Sequence, residues 1–220
     1  MSEYQSRLKI VYTIRSWSGA KKGSDTHHYI IDLYNTIKPL PRGVRMSYTM
    51  AWCAATVSAA FQEAGLIDLI PPECSCGLML HGAKSMGIWV EDDDYRPKLG
   101  DICLYDWQDG GNGDNTGAPD HMGIVTAVGD NGFVVTEGNK GSVSEVGTRS
   151  LTFGGRYIRG FICPKYAEKA AQMDKPWYQD TMDWGREKGI VKNSDPESVP
   201  NVAQVVQMLK NFEERMLKHD

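Results

Sequence analysis

Cys53 opens the run Trp52-Cys53-Ala54-Ala55-Thr56-Val57-Ser58-Ala59-Ala60-Phe61-Gln62-Glu63-Ala64-Gly65. Small residues crowd its first turn, apolar positions follow, and Gly65 supplies a stop, so the thiol is predicted to sit where a helix begins. Backbone N–H groups and the positive end of the helix dipole favour an anion there, which raises the thiolate fraction. A cysteine so placed is a nucleophile if a base reaches it from elsewhere in the fold, and a small buried hydrophobe if none does.

The base is sought among the histidines. His121 begins the apolar run His121-Met122-Gly123-Ile124-Val125-Thr126-Ala127-Val128, directly after a loop that ends in Pro119-Asp120. Gly129-Asp130-Asn131-Gly132 has hairpin-turn chemistry, and Phe133 to Glu137 reads as the returning strand. In a tight hairpin the start of one strand lies beside the end of the next, so His121 is expected next to Glu137 and Asn139. His121 then takes the thiol proton, and a carboxylate or amide acceptor holds its other nitrogen in one tautomer. Asp120 adjoins His121, but alternation aims neighbouring strand side chains at opposite faces, which argues against it as the orienting acid.

The secondary structure that carries Cys53 and His121 falls into two halves. Residues 3 to 17 read as a helix with Leu8, Val11, Tyr12, Ile14 and Arg15 toward a core. A second helix is predicted over 26 to 37, ended by Pro39, Pro41 and Gly43, and a loop then delivers the chain to Cys53. A short helix is expected over 77 to 86. From Lys98 the pattern turns to strands: Gly100 to Trp107, His121 to Val128, Phe133 to Glu137, Ser150 to Phe153 and Tyr157 to Cys163. Helices followed by an antiparallel meander make an α+β fold. A domain boundary is placed near 168, with residues 1–167 as the catalytic domain. Ala167 to Asp174 reads as a linker and residues 175 to 220 as two short helices.

Composition narrows the function classes. The 220 residues carry a net charge of -4, with 41% hydrophobic and 24% charged residues, which is ordinary for a globular chain and offers no nucleic-acid footprint. No apolar stretch approaches the roughly 18 residues that span a bilayer. The five cysteines are read as reduced, with Cys103 and Cys163 packing in strands. Cys74 and Cys76, with His81 the nearby imidazole, make half a zinc site and read instead as small thiols in a loop. Asp109 to Gly117 superficially resembles a calcium loop but lacks the closing glutamate. No metal or other cofactor is expected. Glu91-Asp92-Asp93-Asp94 reads as a solvated turn.

Four segments in order, Trp52 to Ser58, Gly100 to Trp107, Asp120 to Val125 and Thr136-Glu137-Gly138-Asn139, resemble the motifs of CHAP domains. These are the cysteine- and histidine-dependent amidohydrolase/peptidase domains of peptidoglycan hydrolases. The likeness runs over about residues 3 to 166 and is greatest to the prophage-lysin or bacterial wall-hydrolase branch. The related NlpC-type wall peptidases usually carry Asp-Cys-Ser where this chain has Trp52-Cys53-Ala54. The resemblance implies a papain-like fold, Cys53 as nucleophile, His121 as general base and then acid, and Glu137 with Asn139 as orienting partners. It implies an amide substrate in peptidoglycan, either the N-acetylmuramoyl–L-alanine link or a stem or cross-bridge peptide bond. Some CHAP lysins bind calcium through acidic residues just before the nucleophile; here Arg45-Met46-Ser47-Tyr48-Thr49 carries none.

The Cys53 backbone N–H is a natural oxyanion donor, and Tyr48 or Ser47 in the approach loop a second. Trp52 and Trp107 are expected to flank the cleft as substrate contacts. The first residues, Met-Ser-Glu-Tyr-Gln-Ser-Arg, form no signal peptide, which suits a cytosolic enzyme and equally the phage-type route expected from the resemblance: synthesis in the bacterial cytoplasm, release by another protein's membrane lesion, action at the wall. The helical stripe from Trp177 to Met216 packs on the catalytic domain or a partner, or resembles one S-layer-homology-type repeat that would hold wall polysaccharide. Two rival functions stay open: a non-catalytic wall-binding protein on the same fold, and a cysteine amidohydrolase acting on a non-wall amide.

Overall fold

Ile10, Val11 and Ile14 recur at helical spacing and are buried with Ser6, which folds the N-terminal segment as α1 (Glu3–Ser16). Its buried face is centred on Ile10 and Ile14; Tyr12, expected in the core, stays exposed. A computed structural model describes residues 2–108 and 117–171 of the chain. The chain divides into a unit of Tyr4–Tyr166 and a second unit formed by Met1–Glu3 with Ala167–Asp220.

Ser24 caps α2 (Asp25–Tyr34) by accepting the His27 N–H. This helix ends three residues sooner than expected because Asn35 turns away to serve the next loop. Its side chain accepts from the Met46 N–H at 2.8 Å and donates to the Met46 carbonyl at 3.0 Å. The approach to Cys53 is thereby pinned to the end of α2. Helix α3 (Cys53–Glu63) follows, with Cys53 through Phe61 all buried, so its small residues suit close approach on every side. Gly65, at φ 66°, ends it, with the Leu66 N–H returning to the Phe61 carbonyl as in a Schellman motif. Helix α4 (Cys76–Ser85) is capped by Ser75 and begins with Cys76, which was expected in a loop.

Six strands form one antiparallel sheet in the order β1 (Trp89–Val90), β6 (Ile158–Ile162), β2 (Ile102–Tyr105), β3 (His121–Val128), β4 (Gly132–Lys140) and β5 (Glu145–Thr152). Strands β3, β4 and β5 form the expected meander, and β6 returns across the sheet to pair with β2. Cys103, Val125, Phe133, Val135 and Phe161 make an apolar cluster on one face, extended by Tyr105. The pairs Cys103–Gly123 and Tyr105–His121 continue that face from apolar to polar. A buried ion pair anchors α1 to the sheet: Asp101, just before β2, accepts from Arg7 at 3.0 Å, from the Tyr95 hydroxyl and from the Lys98 N–H. Arg15 adds a hydrogen bond to the Thr126 carbonyl.

Where a linker was expected from Ala167, the chain is helical over α5 (Tyr166–Ala171). The two-helix appendage over 175–220, with its wall-polysaccharide reading, and most of the calcium-like loop (109–116) lie outside the described residues. No helix among the described residues is long and apolar enough to cross a membrane. Glu91 is not simply solvated: it accepts from the Trp89 indole, Lys84 and Arg159.

Candidate active site

Cys53 is the first residue of α3, and its N-cap, Trp52, provides no side-chain cap. The first-turn N–H groups are therefore left to serve the sulfur, and the Ala54 N–H does so. The thiol is nearly buried, with 6% of the residue exposed. Thr56 fixes the turn from below by donating both its N–H and its hydroxyl to the Trp52 carbonyl.

His121, the first residue of β3, places Nε2 3.1 Å from Glu137 Oε2. Its remaining nitrogen is the one available to Cys53, whose sulfur helps to raise the imidazole pKa. Glu137 is fully buried on β4, and Arg149 of β5 closes on it with both prongs: Nε to Oε1 at 2.7 Å and Nη2 to Oε2 at 3.1 Å. The carboxylate is thus held between an imidazole and a guanidinium.

Strand register explains how one buried carboxylate reaches both. Gly147 stands directly across from Glu137 on β5, while Arg149 pairs with Val135 and comes in diagonally. On the other side Ile124 pairs with Thr136, so Gly123 is the next residue toward Glu137. A Cβ at Gly123 would stand 2.7 Å from Glu137 Cγ and 2.6 Å from the Thr136 carbonyl. The glycine on β3 leaves the Glu137 side chain room to lie across the sheet. Gly138 does the same for the helix, since a Cβ there would stand 2.7 Å from Thr56 Cβ. Helix α3 can therefore seat its first residue against the strands that carry His121 and Glu137.

The electrostatics follow from these contacts. The Cys76 thiol, donating to Cys53, is the largest influence on the Cys53 pKa; with His121 and the Ala54 N–H it outweighs burial and holds the thiol well below its ordinary value. Burial alone would lower the His121 pKa, but the Cys53 sulfur and the Glu137 carboxylate push it up to about 9. Burial would likewise raise Glu137, yet His121 and Arg149 keep it below the usual carboxylate range. All three directions favour a thiolate–imidazolium pair beside an ionised carboxylate near neutral pH.

Beside the pair opens a cleft of about 310 Å³ lined by Trp107, His121, Asn139, Gly141 and Arg149. Trp107 is 38% exposed, stacks on Tyr105 at 4.8 Å and lies under the Arg149 guanidinium at 4.9 Å. Tyr105 in turn stacks on His121, so the aromatic rings brace the imidazole from one side.

The other expected site residues are placed differently. Trp52 is fully buried and donates its indole N–H to Ser144 Oγ at 2.9 Å, so its ring is packed away from substrate. Asn139 adopts a left-handed φ of 57° and accepts from Ser144, completing a chain from Trp52 to Ser144 to Asn139. It lines the cleft beside His121, but the imidazole Nε2 is held by Glu137, and Asn139 braces the residue before Cys53 instead. Tyr48 donates to both oxygens of Asp32 at 3.0 Å and stacks on His28, while Ser47 pairs with Thr49. Both hydroxyls are thus engaged in the approach loop. Asp120 accepts from the Trp107 N–H and the Gln108 side chain, and so ties the loop above the cleft. Cys74 faces Arg42, and among the described residues no three His, Cys, Asp or Glu side chains converge as a metal site needs.

Arg149, and Cys76 as a neighbour of Cys53, are not among the site residues the sequence predicts. Strand alternation across β4 and β5 could have found Arg149, had the strand been traced from Glu145; no periodicity brings Cys76 to Cys53.

Residues 45–139 match the family model of the CHAP domain, a span that opens just before Cys53 and closes on Asn139. Over this span the chain is similar to a CHAP domain. CHAP domains are cysteine- and histidine-dependent amidohydrolases or peptidases, and helices with a six-stranded antiparallel sheet fit the papain-like α+β CHAP fold. Arg149 lies beyond the matched span, so the clamp on Glu137 comes from the strand that follows it. No curated protein and no solved structure matches the chain.

Proposed function

We propose that this CHAP-like domain hydrolyses an amide bond of peptidoglycan, with Cys53 as nucleophile and His121 as proton carrier. The observation that carries the reading is the His121–Glu137 contact at 3.1 Å beside a thiol on a helix N-terminus. The thiolate–imidazolium pair means that His121 already holds the thiol proton before substrate arrives, a step earlier than a general-base attack supposes. The thiolate adds to the carbonyl carbon, and the Cys53 backbone N–H at the start of α3 donates to the oxyanion. His121 then gives its proton to the leaving amine as the C–N bond breaks, leaving a thioester. Water, deprotonated by the now neutral imidazole, attacks the thioester and releases the acid and the thiolate. Glu137 fixes the ring and favours its charged form, and Arg149 keeps Glu137 ionised. Trp107, half exposed beside His121, is the aromatic surface for a sugar or stem peptide.

The bond is either the muramoyl–L-alanine amide or a stem or cross-bridge peptide bond. Phage-type release, with action at the wall, belongs to the same proposal. The test is digestion of purified Gram-positive sacculi by the wild type and by Cys53→Ala, read by turbidity and by mass spectrometry of the soluble products. Clearing by wild type alone is expected. Muramic acid freed of intact stems marks an amidase, and new peptide amino termini mark an endopeptidase. Equal clearing by the alanine variant removes Cys53 from the mechanism.

A further inference from the structure

Cys53 has a second thiol against it. Cys76 Sγ lies 3.6 Å from Cys53 Sγ, and both residues are buried, with 6% and 8% exposed. Each is the first residue of its helix, so the N-termini of α3 and α4 meet at the two sulfurs. The hydrolytic cycle above gives Cys76 no covalent step.

The placement of Cys76 is built from several directions. Ser58 of α3 donates its hydroxyl to the Glu73 carbonyl at 2.8 Å and accepts the Glu73 N–H at 2.9 Å. The Glu73 carboxylate takes Arg42 through two nitrogens and also accepts the Cys74 N–H. Ser75 then caps α4, and Gly82 packs against Pro71, where a Cβ would have no room. The segment from Glu73 to Cys76 is thus fastened to the same helix that carries Cys53. Cys74, two residues away, is held instead near Arg42, with Nη2 at 3.8 Å from its sulfur.

We infer that Cys53 and Cys76 form a redox-modification site, in which a hydroperoxide converts the thiol pair into a reversible intramolecular disulfide. The Cys53 thiolate attacks one oxygen of hydrogen peroxide and the O–O bond breaks. The departing hydroxide takes the His121 proton and leaves as water, and Cys53 becomes a sulfenic acid. Cys76 sulfur attacks the Cys53 sulfur, the S–O bond breaks, and the hydroxide leaves as water with the Cys76 proton. Two thiols are oxidised by two electrons and one peroxide is reduced to two waters. The sulfurs must close by roughly 1.5 Å to reach bonding distance. Two features favour this course over irreversible oxidation. Cys53 is the thiolate of the pair and so the first target, and Cys76, held in contact, resolves the sulfenic acid before a second peroxide arrives. That the disulfide silences catalysis rests on the proposed function, since it removes the nucleophile; the disulfide itself does not.

The test is hydrogen peroxide titration of the full-length, fully reduced protein, followed by alkylation of free thiols and peptide mapping. Trypsin leaves Cys53, Cys74 and Cys76 together between Arg45 and Lys84, so cleavage after Glu63 and Glu73 is needed to separate Cys53 from the other two. The expected product is a Cys53-containing fragment joined to the Cys74–Cys76 fragment with the loss of two hydrogens. It should persist in Cys74→Ala, vanish in Cys76→Ala and revert with dithiothreitol. In Cys76→Ala, Cys53 should run on to sulfinic and sulfonic acids. The inference is overturned if wild-type Cys53 takes up oxygen while Cys76 stays alkylatable, or if the cross-link survives in Cys76→Ala. The wild-type mapping needs no variant to fold and no activity to be present. If the reduced protein leaves sacculi intact, the hydrolase reading fails while the disulfide result stands or falls separately. If both hold, peroxide abolishes clearing, and dithiothreitol restores it in wild type and Cys74→Ala but not in Cys76→Ala.

Discussion

At the scale of single residues, the site depends on one buried carboxylate doing two jobs. Glu137 holds His121 Nε2 and raises the imidazole pKa, and His121 and Arg149 together keep the carboxylate in its charged form. The consequence is a pH dependence whose sign can be worked out. In the proposed mechanism imidazolium protonates the leaving amine, so activity should decline as pH rises through about 9, the His121 value. It should also decline at low pH, when the thiolate finally takes a proton, below the ordinary thiol range. Glu137→Gln keeps the shape but removes the anion. Burial then pulls His121 down with only Cys53 opposing it, so the alkaline limb of kcat/KM should move to lower pH. The rate at the optimum should fall by on the order of 10²-fold, the lower end of what positioned acid–base groups contribute. A profile of the variant that overlays the wild type would show that Glu137 only fills space.

At the scale of elements, the decisive residues are those that let strands and helix approach. Gly138 is where β4 accepts Thr56 of α3, and Gly123 is where β3 makes way for Glu137. Gly138→Ala should cost about 1–3 kcal/mol of stability through overpacking, with a drop in Tm by thermal unfolding and a loss of activity per folded molecule. Gly129→Ala, where the nearest atom is 3.8 Å away, serves as the matched control and should do neither. The same elements show what was legible beforehand. The helix carrying Cys53, the β3–β4 hairpin and the meeting of His121 with Glu137 could all be read from a helix stop, a turn sequence and strand alternation. Strand β5 could be read only from Ser150 onward, because Glu145-Val146-Gly147-Thr148-Arg149 has little apolar pattern, and Arg149 was lost with it. Cys76 and Trp52 failed for a different reason. A thiol contact between two helix starts, and the burial of an indole beneath a turn, are set by packing between segments distant in sequence.

At the scale of the whole unit, the matched CHAP span is less than the structure that makes it work. Strand β6 lies between β1 and β2, β5 supplies Arg149, and α1 reaches the sheet through Arg7. The last of these is open to a stringent measurement, because Asp101 is fully buried and satisfied by three donors from three places in the chain. Removing Arg7 leaves its charge in the interior with only the Tyr95 hydroxyl and the Lys98 N–H, and an uncompensated buried carboxylate costs about 3–5 kcal/mol. Arg7→Ala should therefore lower the denaturant midpoint with little change in slope, while the catalytic pH limbs stay where they are in the fraction that remains folded. The double variant Arg7→Leu with Asp101→Asn should recover much of the loss, since it removes the charge together with its partner. If Arg7→Ala were as stable as the wild type, α1 would be an accessory to the sheet and not one of its supports. The Tyr95 hydroxyl and the Lys98 N–H would then suffice to hold the Asp101 carboxylate in place.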